Sequence, residues 1–215
     1  GPAWADDLEL SVMNKVLAGK DQPSITLGLN KALLGGELSL EIPGQKPIRH
    51  IIQKSPAGTS LRFPIELPPG QFDVRGQLRV TFEDGAVGEM PLNFTILVAA
   101  PMTIEAPEEL LNIETRTLVV RVSRPAQYCD YRVTYEGGVT AEGRAVFGAA
   151  APGADLPIRW GPPAGVADTV VLKIRIECFD VDYFTNGIEL FPWSLVIAHE
   201  EVLFASARSD LEVGE

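Results

Sequence analysis

One stretch decides the fold: residues 72–98 read FDVRGQLRVTFEDGAVGEMPLNFTILV. Apolar residues alternate with polar ones in two runs, at Phe72, Val74, Leu78, Val80 and Phe82 and then at Met90, Leu92, Phe94, Ile96 and Val98. Gly76 takes one apolar place in the first run, and Glu83-Asp84-Gly85 is a turn signal between the runs. A period of two indicates a strand with one apolar and one wet face. The stretch therefore predicts two antiparallel strands joined by a tight turn.

The same alternation runs back to the start of the chain. It recurs within residues 8–12, 25–29, 38–42 and 61–67. About seven such strands, separated by Gly/Pro turns, match one immunoglobulin-like sandwich of roughly 90–100 residues. The helical alternative is weak and is limited to a short turn at Glu108–Ile113 and another near Asn14–Ala18.

The second half repeats the plan after a break at Ala99-Ala100-Pro101. Strands are predicted within residues 118–122, 129–135, 146–147, 156–160, 170–178 and 191–197. The fold class is therefore all-β, with two tandem immunoglobulin-like antiparallel β-sandwich domains and a short C-terminal tail. The predicted boundaries are 3–99, 100–199 and 200–215. Gly1-Pro2 is typical of the remnant of a purification-tag protease, so we treat both residues as foreign and expect the chain to be part of a longer protein.

Composition narrows the classes of function. The formal net charge of −11 argues against nucleic acid as a partner, because phosphate contacts need a basic face. It also argues against electrostatic binding to anionic lipid. No apolar run reaches the roughly 18–20 residues that a membrane span requires. The 17 prolines and 20 glycines are spread between apolar stretches, as turn residues are.

The two cysteines, Cys129 and Cys178, both belong to the second half. Each falls on the apolar parity of its strand, so both are expected to point into the same core. In an immunoglobulin-like order these strands would be the third and sixth, which pair antiparallel in one sheet and place the start of one beside the end of the other. We therefore predict a disulfide in an oxidising compartment. Two buried free thiols are the alternative.

The sequence offers little catalytic chemistry. The histidines are His50 and His199, and no nucleophile elbow, zinc-protease helix or phosphate-binding glycine loop occurs. The sequence predicts no catalytic residue, no cofactor and no metal site, with an unrecognised enzyme site as a remote alternative. His50 lies in a small basic patch with Lys46, Arg49 and Lys54, for which a solvated strand face is favoured over a site for an acidic ligand.

Two segments offer weaker candidates for binding. Asp180, Asp182 and Asn186 could surround a calcium ion, but their spacing lacks the dense acidic pattern and distal Glu of a calcium loop. A plain connecting loop is favoured there. Trp160 precedes Gly161-Pro162-Pro163 at a predicted strand end, so it is a candidate for partial exposure and for contact with a sugar. Trp193, on the inward parity of the last predicted strand, is assigned to the core.

The C-terminal tail does not continue the period-two alternation of the two predicted sandwiches. Val202, Phe204, Ser209 and Leu211 occupy the places of a Val-x-Phe strand, a polar stretch, a Ser and a Leu. This segment resembles the opening strand of the OmpA-like peptidoglycan-binding domain. The resemblance covers the last 15 to 25 residues or so of the chain. The ligand-binding Asp and Arg of that family lie further along the domain, so this chain is not expected to bind peptidoglycan through the family's site.

The resemblance implies a periplasmic, outer-membrane-associated protein of the cell envelope. We expect a non-enzymatic spacer or partner-binding arm attached to a C-terminal peptidoglycan-tethering domain. Its partner would be an envelope protein or a cell-wall component, and the sequence does not identify which. The alternative is a carbohydrate- or peptide-binding β-sandwich module that uses Trp160 or a sheet edge.

Overall fold

The computed structural model describes residues 4–163 and 169–192. The chain divides into two compact units, Gly1–Pro101 and Met102–Glu215. Each unit is an immunoglobulin-like antiparallel β-sandwich with its own buried apolar core. The predicted all-β fold class is therefore confirmed. Within the described residues, no helix has the length and apolar character needed to cross a membrane.

Unit 1 contains eight strands in two sheets. The strands are β1 (Leu8–Met13), β2 (Lys15–Leu17), β3 (Ser24–Leu29), β4 (Leu33–Glu41), β5 (Ile48–Ile52), β6 (Ser60–Pro64), β7 (Gly70–Phe82) and β8 (Val87–Ala99). One sheet has the order β1-β3-β6 and the other the order β2-β8-β7-β4-β5. The decisive stretch forms β7 and β8, which pair antiparallel from Gly70↔Val98 to Thr81↔Val87.

The first strand of unit 1 divides between the two sheets. β1 pairs antiparallel with β3, whereas β2 pairs parallel with β8. Asn14 lies at the crossing, where its side-chain amide donates a hydrogen bond of 2.9 Å to the carbonyl of Thr95. The helical alternative at Asn14–Ala18 is therefore wrong. Extended backbone wins there because it pairs with β8 while burying Val16, which is 3% exposed.

Gly76 marks a close approach between β4 and β7. It lies opposite Leu40 on β4 and Leu92 on β8. A Cβ atom added at this position would overlap the carbonyl oxygen of Ser39 and lie 2.8 Å from a methyl carbon of Leu40. The missing apolar side chain in the alternation is thus a packing requirement, because only hydrogen fits between these strands.

The described residues of unit 2 form seven strands in two sheets. The strands are β9 (Ile104–Glu105), β10 (Thr117–Val122), β11 (Ala126–Tyr135), β12 (Thr140–Ala150), β13 (Leu156–Arg159), β14 (Val171–Asp180) and β15 (Thr185–Leu190). One sheet has the order β13-β10-β9 and the other the order β12-β11-β14-β15. A 3-10 helix at Glu108–Leu110 lies within one of the two segments for which a helical turn was the alternative.

Three strands of unit 2 differ from the sequence prediction, and the first of them, β9, was not predicted. β12 spans eleven residues rather than a short segment at Val146, because Gly and Ala weaken its apolar alternation. β15 covers residues assigned to a loop, and it pairs with β14 from Ile174↔Leu190 to Phe179↔Thr185. The predicted final strand at 191–197 and the core assignment of Trp193 lie mainly outside the described residues.

The predicted disulfide is confirmed. Cys129 on β11 and Cys178 on β14 are directly opposite each other in the antiparallel register, and their sulfur atoms are bonded. β11 and β14 are the third and sixth strands of unit 2, as the sequence indicated. Both cysteine side chains are fully buried in the core of this unit, so the bond links two neighbouring strands of one sheet beneath the opposite sheet.

Reduction of the disulfide is expected to destabilise unit 2 alone. The bond closes a loop with a sequence separation of 49, for which loop-closure entropy gives a contribution of about 4 kcal/mol. Urea titration followed by far-UV circular dichroism should show one of two unfolding transitions moving to lower urea with reductant. A Cys129→Ala, Cys178→Ala variant should reproduce that shift and lose its response to reductant. Equal movement of both transitions would contradict the assignment.

A methyl group at Gly76 is expected to destabilise unit 1. Gly76→Ala should lower the free energy of unfolding by about 1–3 kcal/mol, because the added carbon overlaps backbone rather than a flexible side chain. Gly28→Ala is the matched control within the same unit, since its added Cβ would meet neighbours only at 3.7 Å or more. Urea unfolding compares the two variants. A Gly76→Ala midpoint no lower than that of Gly28→Ala would refute the close approach.

Candidate functional site

The candidate site is the outer face of the four-stranded sheet of unit 2, the face turned away from the core. A shallow concavity of about 550 Å³ is associated with this sheet. Its lining consists of Asp130, Tyr131, Arg132, Glu142, Gly143, Arg144, Arg175 and Glu177. Side chains alternate across a strand, so the buried parity of Cys129 and Val133 turns Tyr128, Asp130 and Arg132 outward. The face is therefore built by residues on the polar parity of β11, β12 and β14.

Two arginine–carboxylate pairs cross from β11 to β12. Arg144 donates to both carboxylate oxygens of Asp130, at 2.7 and 3.0 Å, and Arg132 lies 2.6 Å from Glu142. In the antiparallel register each pair is directly opposite. The hydrogen bonds to Asp130 raise the pKa of Arg144 above its ordinary value. The two cations are therefore matched by anions of their own sheet.

An aromatic cluster lies next to these ion pairs. Arg144 also lies over the ring of Tyr128, 3.9 Å from its centroid. Tyr128 in turn stacks on Phe179 with ring centroids 4.8 Å apart. Val146 is opposite Tyr128 in the strand register and is 69% exposed. Val146, Tyr128 and Phe179 thus form a row across the strands, in which Val146 is exposed and both rings are partly buried. The guanidinium of Arg144 lies beside this row, and such planar cations favour aromatic faces.

A further ion-pair group covers β14 and β15. Glu189 lies 3.2 Å from Arg175 and 3.9 Å from Lys173. Thr185 donates a hydrogen bond of 3.1 Å to Glu177. The outer face is therefore a lattice of alternating charges rather than a patch of one sign. Such a surface favours a partner that presents its own alternating charges, and it offers little attraction to a simple anion.

The lining of the concavity consists of six charged side chains, one tyrosine and one glycine. The charged side chains are three arginines and three carboxylates, and each has an ion-pair or hydrogen-bond partner on its own sheet. The phenol of Tyr131 points toward the opposite sheet, where its hydroxyl donates a hydrogen bond of 3.4 Å to the carbonyl of Arg159 on β13. The carboxylates are each held by an arginine or a hydroxyl. The arrangement can hold a polar partner by charge and by aromatic contact.

The prediction that Trp160 is partly exposed and available to a ligand is wrong. Trp160 is 2% exposed, and its indole N–H donates a hydrogen bond of 2.9 Å to the hydroxyl of Tyr135. The reason is that Trp160 continues the inward parity of β13 after Leu156 and Ile158, although the strand itself ends at Arg159. The aromatic side chain completes the core at the strand end instead of projecting from it.

The acidic segment after β14 is organised by an arginine. Asp180 is fully buried and accepts a hydrogen bond of 2.8 Å from Nε of Arg124. Its other oxygen accepts from the backbone N–H groups of Asp182 and Phe184. Arg124 also donates to Asp182 at 3.0 Å. The guanidinium of Arg124 thus lies where the alternative of a calcium site would have placed the metal ion. Asn186, the third residue of that alternative, instead donates a hydrogen bond to the carbonyl of Met102.

The predicted basic patch is divided between two faces of β5. Arg49 points outward and forms a bidentate pair with Glu37, at 2.7 and 2.8 Å. Hydrogen bonding within the pair raises the pKa of Arg49 and lowers that of Glu37. His50, the next residue, turns to the other face and packs 5.2 Å from the ring of Phe63. Neighbouring strand residues face opposite ways, so these two side chains cannot form one anion site.

Some predicted features lie outside the described residues. His199 and the resemblance residues Val202, Phe204, Ser209 and Leu211 belong to this group. Conversely, the row of Tyr128 and Phe179 was missed by the sequence analysis. The signal for it was present in the polar parity of β11, where an aromatic residue in an outward position precedes Asp130 and Arg132.

Comparison with known proteins adds two solved structures. No protein-family model and no curated protein matches the chain. A tetra-tandem repeat from the extending region of a large adhesion protein aligns at 13% identity with a TM-score of 0.33, over 85% of this chain and 47% of that one. Dimeric latent PorU from Porphyromonas gingivalis aligns at 14% identity with a TM-score of 0.30, over 84% of this chain and 19% of that one.

This chain thus spans less than half the length of either of those two chains. Scores this low carry neither fold nor function from one protein to another. The assignment of the fold therefore depends on the strands, registers and cores described above.

Removal of the Asp180 carboxylate is expected to destabilise unit 2. Asp180→Ala should cost about 3–5 kcal/mol, because Arg124 and two backbone N–H groups would lose their acceptor in a buried position. Asp155→Ala is the control, since its pair with Arg121 is exposed and should cost below about 1 kcal/mol. Thermal unfolding compares the variants. A rise in melting temperature on adding calcium to the unmodified chain would contradict this account and restore the calcium alternative.

Proposed function

We propose that this chain is a non-enzymatic structural and interaction module of the bacterial cell envelope. It would act as a spacer or partner-binding arm ahead of a C-terminal peptidoglycan-tethering domain. The observation that carries the proposal is the presence of two self-contained sandwiches in sequence, each closed around its own core. Closed cores of this kind keep their shape while their outer faces and edges remain available to partners.

The disulfide supports an extracytoplasmic location. Cys129 and Cys178 are joined within the core of unit 2, and structural disulfides persist where the surroundings are oxidising. The bacterial periplasm is such a compartment. The resemblance of residues 202–211 to the opening strand of the OmpA-like domain supports placing the protein at the outer membrane, with its anchor following this chain.

The chemistry of the candidate site supports a binding role. Its arginines and carboxylates are held in ion pairs and hydrogen bonds within their own sheet, an arrangement that suits recognition of a partner with a matching pattern of charges. The alternative of carbohydrate binding loses its main support, because Trp160 is buried in the core. Peptide binding along a sheet edge keeps its support, since β12 forms an end of its sheet.

Sedimentation with purified sacculi tests the tethering part of the proposal. We expect this chain to stay in the supernatant, and a version extended through the complete C-terminal domain to sediment with the sacculi. The same two proteins centrifuged without sacculi control for aggregation. If the extension does not change sedimentation, the OmpA-like assignment is wrong. If this chain sediments with the sacculi although it lacks the C-terminal extension, the sandwiches bind the wall directly and the proposed role as a spacer is wrong.

A further inference from the structure

The outer edge of β12 offers a surface for pairing with another strand. β12 runs over Thr140–Ala150 and hydrogen-bonds to β11 on one side. The sheet order β12-β11-β14-β15 places it at the end of the sheet, and within the described part of the chain no strand pairs with its other side. An edge of eleven residues is long compared with most strands of globular proteins. Such an edge presents a row of backbone donors and acceptors.

The disulfide identifies which backbone groups face this edge. Cys129 and Cys178 have Cα atoms only 4.0 Å apart, the spacing of a non-hydrogen-bonded antiparallel pair. The N–H and C=O groups of Cys129 therefore point away from β14, toward Ala145 on β12. Because the direction alternates along a strand, the corresponding groups of Glu142, Arg144 and Val146 point away from β11. These residues can pair with a further strand without disturbing the existing ladder.

Lysine and other charged side chains, proline and bulges are the common protections of a sheet edge against pairing. Between Thr140 and Val146 the only charged side chains on this edge are Glu142 and Arg144, which are of opposite sign. The sequence of β12, TAEGRAVFGAA, has no lysine and no proline. Its register with β11 is regular from Tyr128↔Val146 to Thr134↔Thr140, so no bulge interrupts this part. Val146, 69% exposed, lies within the same part.

The order Glu142-Gly143-Arg144 makes the edge complementary to itself. We infer that β12 pairs antiparallel with β12 of a second copy of this chain, around a two-fold axis at Gly143. In that register Glu142 lies opposite Arg144 of the partner subunit, and Arg144 lies opposite Glu142 of the partner subunit. An axis at Glu142 or at Arg144 would place like charges opposite each other, which is unfavourable.

Pairing around Gly143 also satisfies the backbone. Glu142 and Arg144 both direct their N–H and C=O groups to the free edge, so they form a hydrogen-bonded pair across the axis. Thr140 and Val146 form the next one. The two-fold axis keeps outer face with outer face, and the two four-stranded sheets become one continuous sheet. Burial of the exposed Val146 against Thr140 of the partner subunit adds apolar contact. The inference goes beyond the proposed function, since it applies whether or not the chain is tethered.

A backbone variant with a matched control tests the inference. Sedimentation velocity over a concentration series, at about 0.15 M salt to screen long-range repulsion, should show the unmodified chain passing from monomer to dimer. Val146→Pro removes an N–H that faces the second copy and leaves the β11 ladder intact, so the dissociation constant should rise by roughly tenfold or more. Val146→Thr keeps that N–H and the branched side chain, so it should dimerise more tightly than Val146→Pro. Circular dichroism checks that both variants fold.

Charge reversal tests the register. The exchange Arg132→Glu, Glu142→Arg keeps the ion pair within the chain but places a guanidinium opposite Arg144 of the partner subunit, so it should abolish the dimer. The further exchange Asp130→Arg, Arg144→Glu keeps the second ion pair within the chain and should restore the dimer. A chain that is monomeric throughout, or a dimer unaffected by Val146→Pro, would overturn the inference. A chain that is monomeric by itself but binds an unrelated extended peptide, with binding lost in Val146→Pro, would assign the edge to a different protein and also overturn it.

Discussion

The structure depends on one constraint: nearly every strand has one apolar face, and that face must be covered by another sheet. A single sheet of this sequence would leave residues such as Leu27, Leu78 and Ile174 in water, and all three are less than 2% exposed here. Two sheets packed face to face satisfy this requirement, because each covers the apolar face of the other. Because the alternation is broken near Pro101, the requirement is met twice, once in each unit. The hydrophobic effect thus sets the number of cores before any specific contact does.

Specific contacts then choose among the ways of meeting that constraint. In unit 1, Gly76 lets β4 and β7 approach at a place where any side chain would overlap the backbone. In unit 2, Cys129 and Cys178 hold the register of β11 and β14, and the buried Asp180 with Arg124 shapes the turn that leads into β15. A shift of one residue in either pairing would turn core side chains to solvent. These contacts therefore help to hold the register in which the apolar side chains face the core.

The polar parity of the same strands produces the functional surface. Residues that cannot enter the core, such as Asp130, Arg132 and Arg144, form a lattice of paired charges on the outer face of unit 2. Pairing lowers the attraction of this face for simple ions and favours partners with matching charge patterns and strand edges. The same alternation that builds the core therefore also places the paired charges of the candidate site on one outer face. The proposed arm and the proposed edge pairing both follow from it.

The sequence by itself determined the fold class and most strands, because a period of two is a local signal that needs no knowledge of neighbours. It also determined the pairing of Cys129 with Cys178, since parity and strand order sufficed. Only the tertiary structure decided the burial of Trp160, the orientation of His50 and the ion-pair partner of Asp180. Trp160 continues an inward parity past the end of its strand, and His50 is separated from Arg49 by the faces of β5. Asp180 meets an arginine 56 residues away. Burial and long-range partners depend on how distant strands are brought together, which local periodicity does not encode.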